Sequence, residues 1–394
     1  MATLTVALQN RTGSGNVFAF ITGRAIDSGN ALFLLQADAR SPYFPGSPSS
    51  PGAKLAVNCA IRLGPPGNTV NATIPHIAGG RIWFSIDQPL TFLLNPGPGL
   101  VEPAVTNPAD PNININWAFA EFTWNAAQMF ANISYVDFVS LPVSLSLSSR
   151  ANSTVQNVVG MAPNGLDLVC DRLRQQNAAD GAGWDQLIVR SPSGGNLRAL
   201  SPNNGMTLNP SLFRNYYNPY VDAVYSRLTT KSLGIDTQAQ WGIVRSTPPN
   251  HYPESDFLNF GTDATTNTPL RFGKPSARDI FSCSTGPFTP SPSIEKGALI
   301  ARLAAAFNRS SLLEEDVTPS EPKERYYSDR ITNHYSRIVH SVNVEGRGYA
   351  FPFDDVAPTG GVDQSGAVQD GAPGVLTVGI GGSGGAAREL NVQS

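Results

Sequence analysis

Charge is what this chain has least of. Only 14% of its 394 residues are charged, 27 basic against 30 acidic, for a formal net charge of -3, where a typical soluble domain carries about 25%. The five lysines (Lys54, Lys231, Lys274, Lys296 and Lys323) are scattered and the arginines form no run, so the clustered cationic surface that nucleic acid requires is missing. The same scarcity excludes a coiled coil or a charged disordered tail. Three cysteines, Cys59, Cys170 and Cys283, are too few for a disulfide scaffold and too widely spaced for a zinc knuckle. No stretch approaches the roughly 18 uninterrupted apolar residues needed to span a bilayer. The opening MATLTVALQN lacks a basic region followed by an apolar one. The expectation is a soluble chain with no membrane partner and no secretion signal in the sequence as given.

Turn residues, by contrast, are abundant. There are 37 glycines and 32 prolines, an excess that points to turn-rich β structure. At 41% hydrophobic the chain can bury a full core, and its length predicts two or three units of roughly 150 residues each. Five Asn-x-Ser/Thr sequons (Asn10, Asn71, Asn132, Asn152 and Asn308) hint at secretion, but Asn and Ser are common enough for chance matches.

To about residue 148, short apolar runs such as Val17–Thr22, Ala31–Gln36 and Gly80–Ile86 alternate with Gly, Pro, Asn and Ser clusters, the pattern of a β-sandwich or barrel. After Arg150 the period changes. Leu166, Val169, Cys170 and Leu173 fall at i, i+3, i+4 and i+7, one stripe of an amphipathic helix after Asn164. Asn218-Pro219 caps a second helix running to Leu228. A third spans Pro292 to Phe307 with Asn308 as its stop. Strand-like Gln186–Val189 and Trp241–Val244 lie between these helices. From His334 the text reads as β again, through Ile338–Val342 and Gly374–Ile380. The predicted architecture is mainly β with an α/β part: a β domain from residues 1–148 with 336–394, and an α/β domain from 149–335.

Two familiar motifs fail on context. Gly379-Ile-Gly-Gly-Ser-Gly384 matches the dinucleotide fingerprint, yet ten residues cannot supply the βαβ unit that must follow. Gly381-Gly-Ser-Gly-Gly385 matches a nucleophile elbow, but His76, His251, His334 and His340 all precede it, the reverse of the hydrolase order. His334 and His340 would share a strand face, but without a third ligand they read as hydrogen-bonded histidines rather than a metal site. No metal and no cofactor are expected.

Two carboxylates look chemical. Along the strand Ile113–Asn125, Glu121 begins the polar end of a face carrying Ile113, Ile115, Trp117 and Phe119. On the next, Ile133–Leu141, Asp137 interrupts a row of Ile133, Tyr135, Val139 and Leu141, so it should line a cleft, find polar partners or carry a raised pKa. A symmetric turn centred on Met129 would set Glu121 directly opposite Asp137, about 4.5–5.5 Å apart at Cβ. Such a pair suits glycoside hydrolysis, in which one carboxyl protonates the leaving oxygen and the other acts as base or nucleophile. A structural acid pair is the alternative, since perturbed carboxylates also occur in structural networks.

The stretches Glu121-Phe-Thr-Trp-Asn125, Asn132-Ile-Ser-Tyr-Val-Asp-Phe-Val139, Ala305-Ala-Phe-Asn-Arg-Ser310 and Asn333–His340 through Gly348–Val356 together resemble glycoside hydrolase family 64, the laminaripentaose-producing β-1,3-glucanases of the thaumatin-like superfamily. The resemblance implies a thaumatin-like β-sandwich or barrel domain packed on an α/β domain, with a wide groove between them for β-1,3-glucan, as single chain or triple helix. It implies inverting, secreted, endo-acting chemistry by a monomer, releasing short oligosaccharides such as laminaripentaose. It makes Glu121 the general acid and Asp137, sixteen residues on, the general base. Thr123, Asn125 and Ser134 become sugar-contacting positions, and Phe130 stands where the family usually has Trp. Asp354 and Asp355 are groove candidates, with structural turn residues as the other reading. Inversion needs roughly 6.5–9.5 Å between the carboxyl groups, so the side chains must splay or the pairing must be offset. Burial beside Tyr135 and Val139 would raise the Asp137 pKa, the property of an acid, whereas the resemblance makes it the base. Two rival classes are a thaumatin-like glucan-binding or antifungal protein that does not cut, and a structural coat protein, which leaves Asp137 unexplained.

Overall fold

A computed structural model describes residues 2–248, 256–320, 322–361 and 364–382; His251 and the Ser and final Gly residues of the two glycine-rich motifs lie outside them. The strands that build the main body are β1 (Leu4–Asn10), β2 (Val17–Ala25), β3 (Ala31–Leu35), β4 (Thr69–Ile74), β5 (Ile77–Ile86), β6 (Asn116–Trp124), β7 (Met129–Ile133), β8 (Val143–Ser149), β9 (Val155–Val158), β10 (Ala367–Asp370) and β11 (Pro373–Ile380). One sheet runs β10-β7-β6-β5-β2-β3 and ends on the two-residue strand Pro42–Tyr43. A second runs β9-β8-β11-β1-β4. β6 and β7 contact β8, which stacks the sheets face to face over one apolar core. Strands from both ends of the chain meet in the second sheet, where β11 lies parallel to β1 and antiparallel to β8. The mainly β architecture with an α/β part matches the expectation.

The helices are α1 (Gly165–Asp180), α2 (Pro202–Leu208), α3 (Asn218–Arg227), α4 (Ala277–Ser282), α5 (Ile294–Arg309) and α6 (His334–Val342). In α1, Val169, Cys170 and Leu173 are buried, as their spacing predicts. α5 starts at the Ser293 cap, whose hydroxyl accepts from the Lys296 amide, and ends with Ser310 in the left-handed region. It runs through Asn308 rather than stopping there, because the Asn308 amide is buried and donates to the carbonyls of Ile280 and Ala304.

The segment read as strand from His334 is helical. Asn333 caps α6 by accepting from the Ser336 amide, and Tyr335, Ile338 and Val339 fall at helical spacing and are buried. His334 and His340 therefore do not share a face. His334 contacts the Arg330 carbonyl and His340 that of Gly346. Asn10, Asn132 and Asn308 of the sequons are buried.

Asn333 also donates to Asn308 Oδ1 at 2.8 Å, so it joins two helices as well as capping one. Asn333→Ala should lower stability in urea melts by about 2 kcal/mol, from the lost cap and the orphaned Asn308 oxygen.

Candidate active site

The face of the first sheet that points away from the second is aromatic at one end and ionic at the other. Trp83, Trp117, Phe119 and Phe138 pack ring against ring. Two residues further along each strand, Arg81 and Glu121 face each other across the β5–β6 ladder. The Arg81 guanidinium lies 5.4 Å from the Trp83 ring and 5.0 Å from that of Phe119, so aromatic faces hold it while its nitrogens reach outward. Arg81 Nη1 donates to Glu102 Oε2 at 2.5 Å, and Nε to Glu121 Oε1 at 3.4 Å.

Beyond this ion cluster opens a cleft of about 370 Å³, lined by Gly80, Arg81, Glu102, Glu121, Thr123 and Phe130 among others. Its floor depends on glycine. Ala78 and Gly79 together oppose Thr123 in a β-bulge, with Gly79 at a φ of 55°, and the Gly79 amide donates to Thr123 Oγ1 at 3.3 Å. A Cβ on Gly80 would sit 2.4 Å from the Phe122 ring.

Glu121 and Asp137 are not cross-strand partners. The hairpin centres between Ala126 and Ala127, because Asn125 Oδ1 accepts from the amides of Ala127 and Gln128 and pins the turn there. Glu121 therefore faces Asn132, and the pairing is offset. β7 ends at Ile133, and the chain bends before the short strand Phe138–Val139, which joins residues 196–200. Asp137 lies in that bend, half-buried. Its carbonyl accepts from the amides of Ser201 and Asn204 Nδ2, and Asn204 Nδ2 also reaches Asp137 Oδ1 at 3.4 Å. The Tyr335 hydroxyl donates to the Tyr135 carbonyl at 2.6 Å, so α6 supports the same bend. Asp137 is thus held where the large sheet meets the α/β part.

The electrostatics tie the acids together. Burial pushes the Asp137 carboxyl above the usual carboxylate range, opposed by Arg81 and reinforced by Glu121. Burial likewise raises Glu102, with Arg81 opposing and Glu121 and Asp137 adding to the rise. Three carboxyls thus share one guanidinium.

Of the other positions proposed from sequence, Thr123 and Phe130 line the cleft. Asn125 is engaged in the hairpin turn. Ser134 is buried in a bridge to Tyr349. Asp355 is exposed and accepts from the Tyr349 hydroxyl at 3.1 Å. Asp354 is not a groove residue: it is buried, bonded to Arg309 at 3.1 Å, 3.1 Å from His340, and it accepts from the Ala350 amide. Burial alone would raise its pKa, but His340 and Arg309 hold it below the usual range. Sequence reading missed Arg81, Glu102, Asn132 and Asn204. An arginine alternating with Trp83 and Ser85 on one strand face was a readable signal; Glu102 lies in a segment with no periodicity.

The sequence profile of the family described as β-1,3-glucanase matches residues 2–380. A glucan endo-1,3-beta-glucosidase of Cellulosimicrobium cellulans is 28% identical over 364 residues, covering 90% of this chain, and one of Arthrobacter sp. (strain YCWD3) is equally similar. The chain spans 62% of the length of each of these relatives. Among solved structures, a laminaripentaose-producing beta-1,3-glucanase in complex with laminaritetraose superimposes with a TM-score of 0.83 at 29% identity, covering 96% of this chain and 98% of that one. A family 64 domain from Clostridium beijerinckii shares the fold, with a TM-score of 0.73 at 20% identity over 96% of this chain and 98% of its own.

Two predictions follow the charges. A carboxyl whose pKa is raised by folding destabilises the native state once pH exceeds its unfolded value, because the unfolded chain releases the proton more easily. Asp137→Asn should therefore raise the melting temperature at pH 7, the gain shrinking to nothing as pH falls to about 3.9; an unchanged or lower melting temperature at pH 7 would contradict the raised pKa. Asp354→Ala leaves Arg309 buried without its counter-ion and should cost about 3–5 kcal/mol in denaturant unfolding.

Proposed function

Because the chain belongs to the β-1,3-glucanase family, glycoside hydrolase family 64, we propose that it cuts internal β-1,3 bonds of glucan by inversion and releases short oligosaccharides such as the pentasaccharide. The observation that carries this reading is the pair Glu121 and Asp137, two acids within electrostatic reach of one guanidinium beside an open cleft. Glu121 serves as general acid and Asp137 as general base. The offset of the hairpin favours inversion, because a directly opposite pair would leave no room for the attacking water between the carboxyls.

Arg81 favours the ionised Asp137 that a base requires. Thr123 and Phe130 would meet the sugar on the cleft wall, Phe130 as an apolar platform for a sugar face. Asn125, Ser134 and Asp355 would act by shaping the hairpin, the β7 end and the Tyr349 region. A polymeric substrate places the work outside the cell, where a monomer would bind single-chain or triple-helical glucan.

Purified protein incubated with insoluble β-1,3-glucan should release a narrow set of oligosaccharides whose first-formed reducing ends are α by NMR. Glu121→Gln and Asp137→Asn should each lose activity by a factor on the order of 10²–10⁴ without loss of fold. Near-full hydrolysis by either variant, or β reducing ends, would overturn the assignment. The acid limb of kcat/KM should lie above the ordinary Asp value of about 3.9, since activity disappears as Asp137 takes up its proton.

A further inference from the structure

A second cleft, of about 350 Å³, lies between α1 and α6 and is lined by Arg172, Gln175, Gln176, Arg337, Ile338 and Ser341. Its lining contains two arginines and no carboxylate. In a chain so poor in basic residues, that placement calls for a reason. Arg172 Nη1 donates to Ser341 Oγ at 2.5 Å. Arg337 donates through Nε to His334 Nδ1 at 3.0 Å and through Nη2 to Gln176 Oε1 at 2.8 Å. The partner acids that stand nearby are already used. Asp171 pairs with Arg174, while Asp180 accepts from Gln176, Trp184 and the Ala182 amide.

Both arginines are half-buried as residues, and among the described residues neither has an ion-pair partner. Burial and the neighbouring Arg172 lower the Arg337 pKa, the mark of two like charges brought together. Burial lowers the His334 pKa to about 4, so its ring is neutral at pH 7 and adds no charge to the pair. Arg172 Nε and Nη2 and Arg337 Nη1 are donors that carry none of these hydrogen bonds. The Gln175 side-chain amide adds further donors.

We propose that the cleft between α1 and α6 binds a phosphoryl group, a tetrahedral dianion that accepts hydrogen bonds from Arg172 and Arg337 together. Two forked guanidiniums match its geometry and charge, and an acceptor-only ligand matches a donor-rich wall. Arg337 and Ser341 also line a larger neighbouring cleft that holds Lys323 and Gln364 together with Glu324 and Glu345, so the phosphoryl group can be free or carried on a larger polyol. The site stands apart from Arg81 and the acids and does not depend on the glucan reading.

Calorimetric titration with inorganic phosphate, at ionic strength held constant with chloride, tests this. Saturable one-to-one binding is expected, weakened about tenfold or more in Arg172→Gln, the loss of one charged hydrogen-bonding partner. Arg172 makes one side-chain hydrogen bond among the described residues, to Ser341, so this variant should keep the native melting temperature. Glycerol 3-phosphate in a parallel titration separates the sources: binding at least as tight as phosphate identifies an esterified ligand, and binding of phosphate alone identifies the free ion. Absence of saturable binding by either probe, or equal affinity in wild type and the folded variant, would overturn the proposal.

Discussion

The guanidinium of Arg81 sets the terms for the cleft. It is held over two aromatic rings, faces Glu121 across a strand pair, and bonds Glu102 from a different segment. Asp137 enters its field from the bend after β7. Without that cation, nothing would oppose the burial and like charge that raise Asp137 and Glu102. The strand order therefore has a chemical meaning: β5 must lie beside β6 for Arg81 to meet Glu121.

The molecule keeps its buried charges in two separate places. Around Asp354, Arg309 and His340 both carboxyl oxygens meet protein partners, and the cluster joins α5 and α6 to the loop that follows them. Around Arg81 the partners are fewer and side chains stay about one-third exposed. The first arrangement is closed and serves the fold. The second is left open on one side, where a ligand can complete it.

Much of this was legible from residue order. The β pattern, the stripe of α1 and the two acids all follow from periodicity, because a carboxylate among large apolar neighbours is conspicuous wherever it lies. The register was not legible. It turned on the Asn125 side chain, which moves the hairpin centre away from Met129, and on the end of the second strand at Ile133, before Asp137. Helix α6 was hidden because Ile338, Val339 and Val342 are β-branched, and a short apolar run does not declare its period; the cap at Asn333 was the deciding local interaction. Glu102 reaches the cleft only through tertiary packing, and Asp354 was read by its neighbours in sequence rather than by its burial.

The placement of β11 has a consequence for how the molecule comes into being. This strand sits in the interior of its sheet, between β1 and β8, yet it is joined to β1 by more than 360 residues of chain. During synthesis β1 must therefore wait with one edge unpaired while the residues between the two strands emerge. The loop to be closed is long, so its ordering comes late. Until residue 380 arrives, the sheet behind the cleft is two fragments with open edges, and protection from wrong partners during that interval must come from something other than the finished fold.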